Sequence, residues 1–211
     1  MRTFKRPAAP ARFALSLVVA LGCAGAWAQS TSSVQAGSIG QNQGGALNSQ
    51  NMNLGNAGGQ ASSNVSAGSV MQNQGGAMNR QQMDIGNAAG SGSTTVNLGS
   101  VMQQQSGAMN SQSAGIGNVS GAGRAQVVAG QVVQSQDGAM NSQDVEIGNA
   151  SGNGTSRVRV GTVTQTQGGA FNSETVQIGN SSGGHTDVSV GNVYQSQHGL
   201  GGNSSVKIGN N

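Results

Sequence analysis

Six copies of one unit follow each other along this chain at a spacing of 30 or 31 residues, and this repetition constrains the fold more than any other feature. One copy, residues 127–149, reads VVAGQVVQSQDGAMNSQDVEIGN. Such regular spacing is typical of stacked repeats, in which each unit buries its apolar side only against its neighbours. The valines that open the copies are Val34, Val65, Val96, Val127, Val158 and Val188.

Residues 1–28 have the pattern of a secretory signal peptide. Four basic residues lie between positions 2 and 12, residues 13–26 are mostly apolar, and Ala26-Trp27-Ala28 is a suitable cleavage site. We therefore predict a mature chain that begins at Gln29, with a short segment 29–33 before the repeats 34–64, 65–95, 96–126, 127–157, 158–187 and 188–211. Lipid attachment at Cys23 and an uncleaved anchor are the alternatives.

Removal of this leader changes the electrostatics of the chain. Five basic and six acidic residues remain, a net charge of −1, so no basic patch favours nucleic acid, and no membrane span is expected in the mature chain. The single cysteine is lost with the leader, so the exported chain must fold without disulfides.

Alternation within the unit predicts an all-β solenoid of six coils with two main strands per coil. Val132, Gln134 and Gln136 share one parity, and the run from Asn141 to Ile147 shows a second alternation after a short arc. Residues 148–154 read as a loop of turn-forming residues. Val127 lies out of phase with Val132, which predicts a bend or bulge near Gly130 and leaves a short third strand possible.

Stacking the coils would place equivalent inward side chains in columns. The first glutamine column is Gln41, Gln72, Gln103, Gln134, Gln165 and Gln195. The second glutamine column is Gln43, Gln74, Gln105, Gln136, Gln167 and Gln197. The asparagine column is Asn48, Asn79, Asn110, Asn141 and Asn172. The aliphatic column is Leu54, Ile85, Ile116, Ile147, Ile178 and Ile208.

An inward amide is costly when it has no partner, but an amide stacked on its equivalent can both donate and accept along the column. We therefore predict that these columns form self-assembly ladders.

The segment Gln136-Asp137-Gly138-Ala139-Met140-Asn141 matches the Q-x-G-x-x-N core of the curlin repeat, and four other units match it too. The chain resembles a curlin-type amyloid subunit. The resemblance implies a β-solenoid whose coils stack into extracellular fibres, with the Gln and Asn ladders inside. The last unit departs from the pattern because its asparagine, Asn203, is shifted by one residue.

The remaining polar residues show no arrangement for catalysis, and we expect neither a cofactor nor a metal site. His185 and His198 lie in different repeats, and Asp144 and Glu146 form an outward pair in only one unit. The charged residues of the later units, Glu174 among them, are interpreted as surface gatekeepers against aggregation, whereas the first unit carries no charge. Met78, Met109, Met140 and Phe171 are interpreted as corner plugs.

The sequence thus predicts a secreted, non-enzymatic subunit that polymerises with itself by end-to-end stacking, giving a fibre for adhesion and biofilm matrix at a bacterial surface. A nucleator subunit and an outer-membrane exporter are possible partners. A monomeric solenoid that binds glycan, ice or a surface and a disordered matrix protein are the alternatives.

Overall fold

The computed structural model describes residues 31–59, 61–90 and 92–210, so the predicted leader lies outside the described residues. The chain forms an all-β solenoid of six coils, as predicted. Equivalent strands of successive coils pair in parallel and build four sheets that run along the solenoid. The described residues contain no helix, and thus none long and apolar enough to cross a membrane.

The sheets are named A to D in the order in which each coil visits them. Sheet A comprises β1 (Thr31–Ser33), β5 (Ser62–Asn64), β9 (Ser93–Thr95), β13 (Arg124–Gln126), β17 (Thr155–Arg157) and β21 (His185–Asp187). Sheet B comprises β2 (Ile39–Gln43), β6 (Val70–Gln74), β10 (Gln103–Gln105), β14 (Gln134–Gln136), β18 (Gln165–Ala170) and β22 (Gln195–Leu200). Sheet C comprises β3 (Ser49–Leu54), β7 (Arg80–Ile85), β11 (Ser111–Ile116), β15 (Ser142–Ile147), β19 (Ser173–Ile178) and β23 (Asn203–Ile208). Sheet D comprises β4 (Ala57–Gly58), β8 (Ala88–Ala89), β12 (Val119–Ser120), β16 (Ala150–Ser151) and β20 (Ser181–Ser182).

The two predicted main strands of each coil are the strands of sheets B and C. The interpretation of residues 148–154 as a loop was incomplete, because Ala150–Ser151 forms a strand of sheet D. The predicted bend near Gly130 is a corner, where Ala129, Gly130 and Gln131 have φ angles of 70°, 107° and 58°. This corner separates the short strand Arg124–Gln126 from sheet B, so the third strand ends just before Val127.

Pairing joins equivalent residues of successive repeats. Gln103, for example, lies opposite Gln134. The sequence separation between paired residues falls from 31 to 30 at the last coil, because the turn that leads from sheet D to sheet A is one residue shorter there. Ser151 still pairs with Ser182, but Thr155 pairs with His185. The columns therefore continue in register through the sixth coil.

The apolar core is a continuous strip inside the coils. Ile85, Ile116, Ile147 and Ile178 of the aliphatic column are fully buried, and they belong to one core cluster with the valines that open the repeats. Leu54 and Ile208, in the end coils, are only partly buried. Burial of the apolar side thus depends on a neighbouring coil on each side, as expected for a stacked repeat.

Candidate functional site

The corner between sheets B and C is built by the Q-x-G-x-x-N motif, and its glycine is required by the geometry. Gly76 has a φ of 89°, and a Cβ atom there would lie 1.9 Å from the carbonyl oxygen of Gly107 in the next coil. The backbones of successive coils therefore approach too closely at this point for any side chain.

The asparagine of the motif satisfies the backbone of two coils at once. Asn110 Nδ2 donates to the carbonyls of Ser106 (2.6 Å) and, in the next coil, Gly138 (3.0 Å), while Asn110 Oδ1 accepts from the backbone N–H of Asn141 (2.9 Å). Equivalent contacts join the whole asparagine column. Because a buried carbonyl without a partner is costly, this side chain stabilises both the corner and the stacking.

The second glutamine column forms an amide ladder from Gln74 to Gln197. Each Nε2 donates to the Oε1 of the next coil: Gln74 to Gln105 (2.9 Å), Gln105 to Gln136 (2.8 Å), Gln136 to Gln167 (2.8 Å) and Gln167 to Gln197 (3.4 Å). Gln43 differs, since its Nε2 donates to the Asn48 carbonyl within its own coil.

The first glutamine column is a ladder only at its start. Gln41 donates to Gln72 (3.0 Å) and Gln72 to Gln103 (3.1 Å). From Gln103 onward the amides instead donate across the core to backbone carbonyls of sheet C, such as Gln134 to Ser113 (3.0 Å). This column therefore links sheets B and C more than it links side chains along the stack.

A third glutamine column, which was not among the predicted ladders, has as many side-chain links as the second. Gln50, Gln81, Gln112 and Gln143 each donate to the next coil at 2.8 to 2.9 Å. Each also donates to a carbonyl of the sheet B strand of its own coil, as Gln112 does to Gln104 (3.0 Å). The signal was present in the alternation of residues 141–147, in which Gln143 shares the parity of the inward residues.

Glu174 ends this third column, so its interpretation as a surface gatekeeper was wrong. Its side chain is 1% exposed, its Oε2 accepts from Gln143 Nε2 (2.9 Å), and its Oε1 is buried without a hydrogen-bond partner in the described chain. Burial raises the pKa of this carboxyl group, while the Gln143 hydrogen bond and the charge of His198 lower it to a smaller extent.

A fifth set of amides, the corner asparagine column, lies between sheets C and D in what was read as a loop. Its Oδ1 atoms accept from the backbone N–H of the preceding coil, for example Asn118 N to Asn149 Oδ1 (2.9 Å). An asparagine after the Leu-Gly or Ile-Gly pair that ends the second main strand of every unit was the available signal. The column consists of Asn56, Asn87, Asn118, Asn149, Asn180 and Asn210.

An open groove of about 1080 Å³ follows the outer side of this corner. Its outer row changes from coil to coil, with Asp84, Gly115 and Glu146 in succession. Burial raises the pKa of Glu146, and the neighbouring Asp144 raises it further. Within residues 31–59, 61–90 and 92–210, no three His, Cys, Asp or Glu side chains are grouped closely enough to hold a metal ion.

Among the described residues, several inner side chains of the two end coils are exposed or half-buried. In the first coil Gln41 and Gln43 are exposed, whereas their counterparts in the second coil, Gln72 and Gln74, are buried. In the last coil Gly202 takes the place of the motif asparagine: its N–H still donates to Asn172 Oδ1 (2.8 Å), and it ends that column. The shifted Asn203 lies on sheet C opposite Ser173.

No family model, curated protein or solved structure matches this chain.

Proposed function

We propose that this chain is a secreted structural subunit whose copies stack end to end into an extracellular, amyloid-like fibre for adhesion and biofilm matrix. The observation that carries the proposal is that the second glutamine column and the aliphatic column reach both end coils, where Gln43 is exposed and the side chains of Gln197, Leu54 and Ile208 are half-buried. Unpaired sheet edges of this kind template the addition of further strands.

The direction of the amide ladders favours head-to-tail stacking. In the second glutamine column each Nε2 from Gln74 onward donates toward the C-terminal coil, so this column ends on the Gln197 amide. Head-to-tail contact places Gln197 against Gln43 of the next copy and continues the column, whereas two C-terminal ends would bring two donating amides together. The third column is not continued in this way, because it ends at Glu174 and Ser204 occupies the equivalent position of the last coil.

The sequence supports the same function. The curlin-like motif in five units resembles repeats of extracellular fibre subunits, and the secretory leader agrees with an exported chain. A nucleator subunit and an outer-membrane exporter are the partners that this proposal implies.

The test begins with the chain from Gln29 onward, diluted from denaturant and followed by thioflavin fluorescence and fibre diffraction. We expect growth with a lag that preformed fibres remove, and reflections near 4.7 and 10 Å. A stable β-rich monomer would refute the fibre proposal, and a persistently disordered chain would refute the solenoid as well.

A matched pair of variants tests whether the open N-terminal end is the growing surface. Gln50→Glu places a carboxylate on the inward side of β3, while Asn51→Asp adds the same charge to the outward side. We expect slower seeded growth for Gln50→Glu only, because an inward charge blocks an edge. Equal rates for the two variants would refute this part of the proposal.

A further inference from the structure

The corner between sheets B and C carries an exposed apolar side chain in each of the first five coils. The set is defined here as the apolar ridge: Leu47 (84% exposed), Met78 (50%), Met109 (46%), Met140 (41%) and Phe171 (58%). The interpretation of Met78, Met109, Met140 and Phe171 as corner plugs was therefore wrong, since their side chains are exposed.

Every residue of the apolar ridge has a left-handed backbone conformation. The φ angles are 57°, 56°, 57°, 56° and 60° from Leu47 to Phe171. Large side chains are disfavoured in this region, which glycine and asparagine adopt more readily. The equivalent residue of the last coil is Gly201, with φ of 66° and the same backbone bond, from its N–H to the Ala170 carbonyl (3.0 Å).

The corner thus closes equally well with glycine, so neither burial nor turn geometry accounts for a large apolar residue in five coils. What the five share is an exposed apolar surface, retained in spite of the backbone strain. Strain that the fold does not require is characteristic of interaction sites.

The spacing of the apolar ridge indicates its partner. Backbone hydrogen bonds hold the ridge corners in register, as from Met109 N–H to the Ala77 carbonyl (3.0 Å). The side chains therefore repeat at the coil spacing of about 4.8 Å. A partner surface fits such a row best when its own side chains are spaced at the same distance, and identical rows of apolar side chains interdigitate well.

The charges beside the apolar ridge do not oppose such a contact. Arg80 and Asp137, both exposed, flank it on opposite sides in different coils, so two ridges meet without a net like-charge repulsion. Ser106 Oγ donates to Asp137 Oδ1 (2.8 Å), which further reduces the field of that carboxylate.

The area of the apolar ridge decides when the contact forms. Five partly exposed side chains provide a few hundred Å² at most, below the roughly 800 Å² per partner of a stable pair. Single copies should therefore not dimerise through the ridge. End-to-end stacking repeats the ridge along a fibre, and many weak contacts on one rigid body then bind strongly.

We propose that the apolar ridge is the lateral contact through which a stack of this chain binds a second stack of the same chain, ridge against ridge, so that fibres form bundles. The proposal rests on the proposed fibre function, and the experiment separates the two.

The test compares two triple variants of the chain from Gln29 onward by electron microscopy of seeded fibres. The ridge variant replaces the three central methionines by asparagine, which tolerates the left-handed conformation: Met78→Asn, Met109→Asn and Met140→Asn. The control, Met71→Asn, Val128→Asn and Tyr194→Asn, removes three exposed apolar residues elsewhere. We expect unbundled single stacks from the ridge variant and bundles from the control.

Bundles in the ridge variant equal to those of the unmodified chain would overturn the proposal and leave the fibre function intact. Absence of fibres from the unmodified chain would overturn both.

Disulfide formation between stacks tests the contact without removing the ridge. The chain from Gln29 onward has no cysteine. In a mixture of the single variants Met78→Cys, Met109→Cys and Met140→Cys, each copy carries one thiol. The thiols of neighbouring copies in one stack are then at least four coils apart, roughly 19 Å, which is too far for a disulfide. Covalent dimers from oxidised fibres therefore report ridge-to-ridge contact. We expect them from fibres and not from monomers; their absence from bundled fibres, with Met71→Cys as control, would overturn the proposal.

Discussion

Gln143 Nε2 donates a 2.9 Å hydrogen bond to Glu174 Oε2, and this contact ends an amide ladder on a buried carboxylate. A glutamine at 174 would also donate to the sheet B carbonyl, as Gln143 does to Ser135 (3.2 Å). The ionised carboxylate has no proton to donate, which leaves its Oε1 without a partner in the described chain. The ladder is therefore complete only when Glu174 is protonated.

We predict that acid stabilises this coil through Glu174. Because burial raises the folded-state pKa above the ordinary value of 4.5, the stabilisation is complete below pH 4.5 and is lost as the pH rises through the folded value. Glu174→Gln should raise the free energy of unfolding at pH 7 by about 1–3 kcal/mol and flatten its dependence on pH. Urea unfolding of dilute protein at pH 4 and pH 7 measures both effects.

Burial also raises the pKa values of Asp144 and Glu146, while the charge of His198 on β22 lowers the pKa of Glu174. The pH dependence of stability therefore has several contributors. Glu146→Gln is the matched control, since Glu146 is half-buried on the groove side of sheet C. An equal effect of the two variants at pH 7 would contradict the special position of Glu174.

Adjacent glycines in one corner should respond very differently to alanine. Gly76→Ala places a Cβ atom 1.9 Å from the Gly107 carbonyl oxygen at a φ of 89°, whereas a Cβ atom at Gly75 meets nothing within 4 Å. We expect Gly76→Ala to destabilise the fold by about 3 kcal/mol and Gly75→Ala to change it by less than about 0.5 kcal/mol. Thermal unfolding of the two variants compares them directly, and similar melting temperatures would argue against close backbone contact at the motif glycine.

Interruption of the third glutamine column should be costly in the middle of the solenoid. Gln112→Leu removes the acceptor of Gln81 and the donor to Gln143, and we expect a loss of about 2 kcal/mol. Gln104→Leu, on the exposed side of β10, serves as the control and should change stability by less than about 0.5 kcal/mol. Denaturant midpoints of both variants provide the measurement; a harmless Gln112→Leu would mean that the ladder contributes little.

Head-to-tail stacking predicts a specific disulfide between copies. Ser49 and Asn203 occupy equivalent positions of sheet C in the first and last coils. Head-to-tail contact brings residue 203 of one copy about 4.8 Å from residue 49 of the next, within the range of Cα separations for a disulfide.

The double variant Ser49→Cys, Asn203→Cys should therefore form covalent multimers when its fibres are oxidised. Each single variant should remain monomeric on a denaturing gel. Efficient dimers from Ser49→Cys alone would indicate head-to-head contact instead.

The inner columns could be predicted because strand alternation assigns each residue to one face. That rule placed Gln136, Gln143 and Ile147 inside, where the structure has them. Glu174 was misplaced because its charge was given more weight than its register with Gln143, although pairing aligns the two residues directly. Register is the stronger signal in a stack, since each backbone is bonded to the next coil and a single residue cannot leave its column.

Corners could not be predicted in the same way, because alternation is interrupted wherever the chain turns. Alternation continued from the buried Gln105 would turn Met109 inward, yet Met109 is exposed on a left-handed backbone, and Ala129 is buried at a corner with positive φ. The short strand Ala150–Ser151 was hidden for a related reason: its strand character comes from pairing with neighbouring coils and not from local propensity.

The sequence by itself determined the six-fold repetition, the parallel stacking and the identity of most inward side chains, because period and parity are properties of the chain alone. Only the tertiary structure decided that four sheets and not two surround the core, that Glu174 is buried and that the apolar ridge is exposed. These features depend on how the backbone turns at each corner, and the turn is fixed by contacts between coils.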